Sequence, residues 1–74
     1  MNKKRRALLT SLIDTLNRVI SAVESVLDEE QESYDATPEC FEERREQQEE
    51  AISNLEQAIE DLNSAVEALE SAAE

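Results

Sequence analysis

The sequence predicts an all-α fold: an antiparallel two-helix hairpin, similar to a coiled coil, that dimerises into a four-helix bundle. Three observations support this prediction. Apolar residues recur at alternating steps of three and four in both halves of the chain, the only proline lies between the halves, and there is no glycine. The 74 residues suffice for one small domain, residues 1–74, whose own core is marginal.

The first half carries a wide apolar stripe, which predicts a helix over residues 3–33. A seam runs along the helix at steps of three and four, and further aliphatic residues lie beside it. This stripe is wider than one coiled-coil contact needs, so it favours neighbours on two sides, as in a helix bundle. The seam residues are Leu9, Leu12, Leu16, Val19, Val23 and Val26, and the flanking residues are Ile13, Ile20 and Leu27.

The second half contains an internal repeat of seven residues, AISNLEQ, AIEDLNS and AVEALES, which predicts a helix over residues 38–73. A sustained seven-residue period is typical of left-handed supercoiling. One alanine precedes every second seam position and allows another helix to approach closely. The seam consists of Ile52, Leu55, Ile59, Leu62, Val66 and Leu69, and the alanines are Ala51, Ala58, Ala65 and Ala72.

Residues 34–37 are predicted to form the bend. Pro38 suits the first position of a helix, where its missing N–H is not needed, and Thr37 is then placed to cap that helix. A connection this short folds the helices back antiparallel. We expect Tyr34 and Phe41 to face inward, pack together and close the end of the bundle.

The short bend also predicts a register, in which Ile20 lies near Ile52. One stretch of the second helix fits the apolar seam poorly, because Arg45 and Gln48 fall on seam positions. We expect this stretch to splay away or to face solvent.

A two-helix hairpin leaves one side of each stripe in water, and its core is too small to offset the cost of ordering the chain. A homodimer is the simplest closed solution, because two hairpins together cover both sides. The seam residues of both helices, together with Ile13, Ile20 and Leu27 of the first, are therefore the predicted core and dimer contacts.

The composition excludes several kinds of site. With no histidine, no glycine and one cysteine, the chain cannot form a Cys/His zinc site, a nucleophile–histidine pair, a glycine-rich phosphate loop or a disulfide framework. We expect no enzyme, and no catalytic, cofactor-binding or metal-binding residue. The lone Cys40 fits a reducing cytoplasm. The first apolar run is interrupted by Asp14 and Arg18, too early for export or a membrane span. We expect a cytoplasmic protein without membrane contact.

Charge is divided unevenly along the chain. The net charge is −12; residues 1–27 carry five basic and two acidic groups, and residues 28–74 carry two basic and seventeen acidic groups. This balance disfavours direct binding to nucleic acid.

The segment DEEQESYDATPE, followed by a glutamate-rich helix with an EEAISNL run, resembles a group of small acidic helical-hairpin proteins. These come from prophages and mobile elements of Gram-positive bacteria. The resemblance covers residues 28–62, and the chain departs from it at Ala36-Thr37 and at Cys40-Phe41. The group has no assigned function, so the resemblance implies a phage or mobile-element context and no catalytic residues.

These observations predict a non-enzymatic interaction or scaffold module whose partners are a second copy of itself and another protein. The alternative is an acidic protein that imitates nucleic acid and inhibits a basic-grooved nuclease, repressor or defence protein. If the partner is recognised at one place, we expect the bend, at Tyr34, Asp35, Glu39 and Phe41. The competing interpretation is that the two aromatic residues only cap the core.

Overall fold

The computed structural model describes residues 1–74 and contains two helices, α1 (Lys3–Ala36) and α2 (Glu42–Ala72), with no strands. The helices contact each other along a rod whose extents are 58 × 15 × 11 Å. The prediction of an all-α hairpin is confirmed.

α1 begins and ends where side chains and proline dictate. The Asn2 side chain caps its first turn by accepting a hydrogen bond from the Arg5 N–H at 2.8 Å. At the other end, Pro38 forces the preceding residue out of the helical region, and Thr37 is extended, with φ −84° and ψ 123°. α1 therefore continues to Ala36, one turn beyond the predicted end at residue 33.

The predicted start of α2 at residue 38 is wrong. Thr37 belongs to the end of α1, because its hydroxyl donates to the Ser33 carbonyl at 2.8 Å and its N–H donates to the Tyr34 carbonyl at 3.1 Å. It is therefore not the cap of α2. Residues 38–41 form a separate turn closed by the Phe41 N–H on the Pro38 carbonyl, and α2 begins at Glu42.

Only half of the predicted seam of α1 contacts α2: Leu9, Leu16 and Val23 are half-buried. Leu12, Val19 and Val26, predicted on the seam, are 53%, 42% and 51% exposed in the hairpin. The flanking residues occupy the contact with α2 instead, and Ile20 is among the most buried side chains. The residues of α1 that α2 covers are Leu9, Ile13, Leu16, Ile20, Val23 and Leu27.

The predicted register is also wrong, by about three helical turns, because it places Glu49 near Val23 whereas Glu49 accepts a hydrogen bond from Tyr34. Tyr34 and Ile52 line the same depression, so Ile52 lies near the end of α1 and not near Ile20. The register shifts because the turn at residues 38–41 lies outside both helices, which moves the start of α2 along the chain. On α2, every predicted seam residue from Ile52 to Leu69 is buried or half-buried.

Arg6 joins the two helices at the open end of the hairpin. Its Nε donates to the Ala73 carbonyl at 2.8 Å, just past the C-terminus of α2. A cation at this place also interacts favourably with the negative end of the helix dipole. Neither helix is long and apolar enough to cross a membrane.

Candidate interaction surfaces

A buried polar cluster holds the helices together at the bend. Gln48 is 7% exposed, and its amide nitrogen donates to the Thr37 hydroxyl at 3.0 Å and to the Ser33 hydroxyl at 3.2 Å. Arg45 donates to the Thr37 carbonyl at 2.7 Å and to the Tyr34 carbonyl at 3.4 Å. The expectation that this stretch splays away from α1 is therefore wrong. The donor groups of both polar seam residues are thus paired with hydroxyl and carbonyl groups at the end of α1, while the Gln48 amide oxygen has no hydrogen-bond partner.

Tyr34 completes this cluster on its outer side. Its hydroxyl donates to a Glu49 carboxylate oxygen at 2.5 Å, and the Arg45 guanidinium lies 4.2 Å from the centre of its ring, a cation–π distance. The hydrogen bond to Glu49, followed by desolvation, raises the pKa of Tyr34 above its ordinary value of 10.0, while the nearby Arg45 acts in the opposite direction. Tyr34 is thus held by side chains of α2.

The four residues predicted to bind a partner line three neighbouring depressions around the bend, which are joined by Glu42 and Glu49. Tyr34 and Asp35 line one shallow depression beside Glu49. Glu39 lines a second depression, and Phe41 lines a third, with Cys40. Phe41 is 55% exposed, so the prediction that it packs inward is wrong. The bend therefore presents an exposed aromatic ring beside acidic side chains, among them Glu42 and Glu43.

A second apolar stripe on α1 is left uncovered by α2. It advances at alternating steps of four and three, like the seam itself, and its largest members are about half exposed. The hydroxyl of its one polar member, Thr15, donates to the Ser11 carbonyl at 3.2 Å and is satisfied within the helix. The residues of this exposed stripe are Leu8, Leu12, Thr15, Val19, Ala22 and Val26.

The two flanks of the hairpin differ in chemistry. On both helices, the position just before alternate seam residues is apolar: Val19 precedes Ile20, and Ala65 precedes Val66. In an antiparallel pair these equivalent positions lie on the same side of the seam. One flank therefore combines the exposed stripe of α1 with the alanines of α2. The opposite flank is acidic, and its central depression is lined in part by Glu24, Asp28, Glu56, Glu60 and Glu67.

Sequence reasoning did not identify the polar cluster as a structural element. The sequence does contain a signal for it, because Arg45 and Gln48 occupy seam positions, and polar residues there often fix the register of a coiled coil. The exposed stripe was only partly recognised: Leu12, Val19 and Val26 were assigned to the seam, whereas in the hairpin they belong to a separate surface.

No group of three or more His, Cys, Asp or Glu side chains is arranged to hold a metal ion. No protein-family model, no curated protein and no solved structure matches this chain.

Proposed function

We propose that this protein is a non-enzymatic interaction or scaffold module that acts as a small acidic homodimer, a four-helix bundle made from two hairpins. The exposed apolar stripe of α1 is the observation that carries this proposal. Four of its residues, Leu8, Leu12, Val19 and Val26, are 58%, 53%, 42% and 51% exposed in a hairpin that buries only two hydrophobic side chains, Ile20 and Val66. Contiguous apolar surface of this kind is typical of protein–protein contacts.

The accessible surface of the hairpin agrees with this interpretation. The chain exposes 5607 Å², whereas a compact monomer of 8.4 kDa exposes about 4,600 Å². The excess, about 1,000 Å² per chain, matches the roughly 800 Å² that each partner buries in a stable protein–protein interface. Association of two copies through the apolar flank removes an excess of this size.

Light scattering on a sizing column tests the homodimer. We expect about twice the 8.4 kDa chain mass at micromolar concentration. Leu12→Glu places a charge in the apolar stripe and should give monomers. Ser11→Glu adds the same charge beside it, outside the stripe, and should remain dimeric. A wild-type chain that stays monomeric and helical would contradict the proposal.

A second candidate function follows from the acidic flank. Residues 28–74 carry seventeen acidic and two basic groups along a rod 58 Å long, a distribution that suits a nucleic-acid mimic bound in a basic groove. The resemblance to small acidic phage-type proteins points the same way. A mimic competes with duplex DNA for its target and loses affinity steeply as salt rises.

Substitutions that remove negative charge from the acidic flank distinguish the two functions. The triple variant Glu56→Gln, Glu60→Gln, Glu67→Gln removes three charges from the acidic flank and leaves the apolar stripe intact. Binding of a mimic to its basic-grooved target should weaken at least tenfold in this variant. Binding through the apolar stripe or the bend should be almost unchanged. The pull-down partners of the native host, compared between the wild type and this variant, decide between the two functions.

A further inference from the structure

The exposed stripe of α1 has a symmetry that bears on how a second copy would cover it. Its positions run four, three, four, three and four residues apart from Leu8 to Val26, so the stripe reads the same in both directions from a centre at the level of Asn17. One step beyond each end, the stripe meets opposite charges, Arg5 on one side and Glu29 on the other.

We infer that the two α1 helices of the homodimer pack antiparallel along this stripe, about a two-fold axis at the level of Asn17. This inference rests on the proposed homodimer and adds its geometry. In this register Leu8 lies opposite the partner's Val26, and Leu12 lies opposite the partner's Ala22. A large side chain faces a smaller one at both pairs, which suits close packing of two helices.

Charge complementarity selects the antiparallel arrangement. The start of α1 carries a basic run, Lys3 to Arg6, and its last third carries an acidic run, Asp28 to Glu32. Antiparallel packing sets each basic run beside the acidic run of the other chain and places Arg5 opposite the partner's Glu29. Parallel packing sets like charges side by side at both ends, which opposes association.

α2 leaves room for this packing on the same flank. Ala65 and Ala72 are exposed and Ala51 and Ala58 half-buried, so the part of α2 beside the stripe of α1 presents methyl groups. The flank on the other side of the seam carries Glu56 and cannot accept an apolar helix without burying charge. A second hairpin therefore approaches from the apolar flank.

Charge reversal tests the register. Arg5→Glu and Glu29→Arg should each raise the dimer dissociation constant about tenfold, because each replaces two attractive pairs by two repulsive ones. The double variant should return to within about threefold of the wild type. Arg18→Glu and Glu32→Arg are matched controls, because they make the same charge changes away from the stripe.

Glu29→Arg is the most informative variant, because it also lowers the net negative charge of the chain, which by itself favours association. Weakening by Glu29→Arg but not by Glu32→Arg supports the proposed register. If both variants tighten the dimer equally and the double variant restores nothing, the antiparallel register is overturned while the homodimer stands. If the wild-type chain is monomeric, the homodimer and its geometry both fail.

A cross-linking experiment gives an independent readout. In chains carrying Cys40→Ser, one population receives Leu12→Cys and another Ala22→Cys, and the two are mixed and oxidised. The register predicts a disulfide between the two kinds of chain. Two copies of residue 12 lie about 15 Å apart along the axis, beyond the roughly 7 Å limit for a disulfide. Oxidation that joins only identical chains would overturn the antiparallel arrangement.

Discussion

The contact between α1 and α2 changes character along its length. Near the bend, Arg45 and Gln48 donate hydrogen bonds to hydroxyls and carbonyls of residues 33–37. From Ile52 to Leu69 the residues of α2 that face α1 are aliphatic, and a single hydrogen bond, from Arg6 to the Ala73 carbonyl, joins the helices at the open end. Hydrogen bonds between the helices are therefore concentrated at the bend, whereas burial of aliphatic side chains, which has no directional preference, dominates the middle of the hairpin.

A helical hairpin must be stable and must adopt a single register, and the two parts of the contact contribute differently to these requirements. The aliphatic seam supplies stabilising free energy, but it specifies position poorly, because the repeats AISNLEQ, AIEDLNS and AVEALES present similar side chains every seven residues. The hydrogen bonds of Gln48 to Ser33 and Thr37 form in one register alone. We infer that the polar cluster at the bend selects the register and that the aliphatic seam stabilises the hairpin in that register.

The largest effect is expected from the seam. Ile20→Ala should lower the free energy of unfolding by about 2–4 kcal/mol, because Ile20 is only 6% exposed and its loss leaves a cavity. Ser21→Ala, at the exposed neighbour, should change it by less than about 0.5 kcal/mol. Denaturant unfolding followed by circular dichroism at one chain concentration measures both. Equal effects of the two substitutions would mean that the seam is not the main source of stability.

Disrupting the buried polar cluster at the bend should lower the free energy of unfolding by a smaller amount. Gln48→Ala removes two hydrogen bonds and leaves the Ser33 hydroxyl without this partner, at a cost of about 1–3 kcal/mol. Gln47→Ala, at the exposed neighbouring position, is the matched control and should be nearly neutral. The same unfolding experiment checks both, and a Gln48→Ala variant as stable as its control would show that the cluster contributes nothing.

A second substitution at the same position separates register from stability. Gln48→Leu loses the same two hydrogen bonds, but it fills the site with an apolar side chain and removes the amide oxygen that is buried without a partner, so stability should stay within about 1 kcal/mol of the wild type. If the polar cluster selects the register, this variant should show a second set of amide resonances around the bend in NMR spectra. A single set would show that the turn at residues 38–41 selects the register without the cluster.

Whether the contact face of a helix could be predicted depended on whether its sequence contains one apolar stripe or two. The seam of α2 was predictable, because its flanks carry only alanine or polar residues and no second aliphatic stripe competes with it. The seam of α1 was not, because Leu12 and Val19 form a stripe as regular as that of Ile13 and Ile20. Sequence periodicity does not say which of two adjacent stripes a neighbour covers.

The bend was also mispredicted because its sequence fits two structures. Thr37-Pro38-Glu39 has the composition of a helix start, and the same residues also suit a helix end followed by a turn. Long-range bonds from Arg45 and Gln48 to Thr37 decide between the two, and local propensity does not contain that information. The apolar composition of Phe41 suggested burial, yet no element of the hairpin covers it.

The Tyr34–Glu49 hydrogen bond, on the outer side of the polar cluster, should break at alkaline pH. The Tyr34–Glu49 hydrogen bond requires a protonated phenol and raises the pKa of Tyr34, so its stabilisation is present below pH 10.0 and is lost as pH rises through the raised pKa. The chain has one tyrosine and no tryptophan, so ultraviolet absorbance follows this group alone. We expect a midpoint above 10.0 that falls in Glu49→Ala and stays in the control Glu50→Ala. Equal midpoints in both variants would contradict the bond.

The smallest effect is expected from the exposed charges of the bend. Asp35 lies in the last turn of α1, where negative charge opposes the helix dipole, and Glu39 lies just before α2, where it is favourable. Replacing both residues by serine removes one unfavourable and one favourable charge. The two effects oppose each other, so the melting temperature should change by about a degree or two. A larger fall would show that these charges hold the corner. A pull-down partner retained at full strength by this variant would place the binding surface elsewhere, with the apolar stripe of α1 or the acidic flank as the next surface to vary.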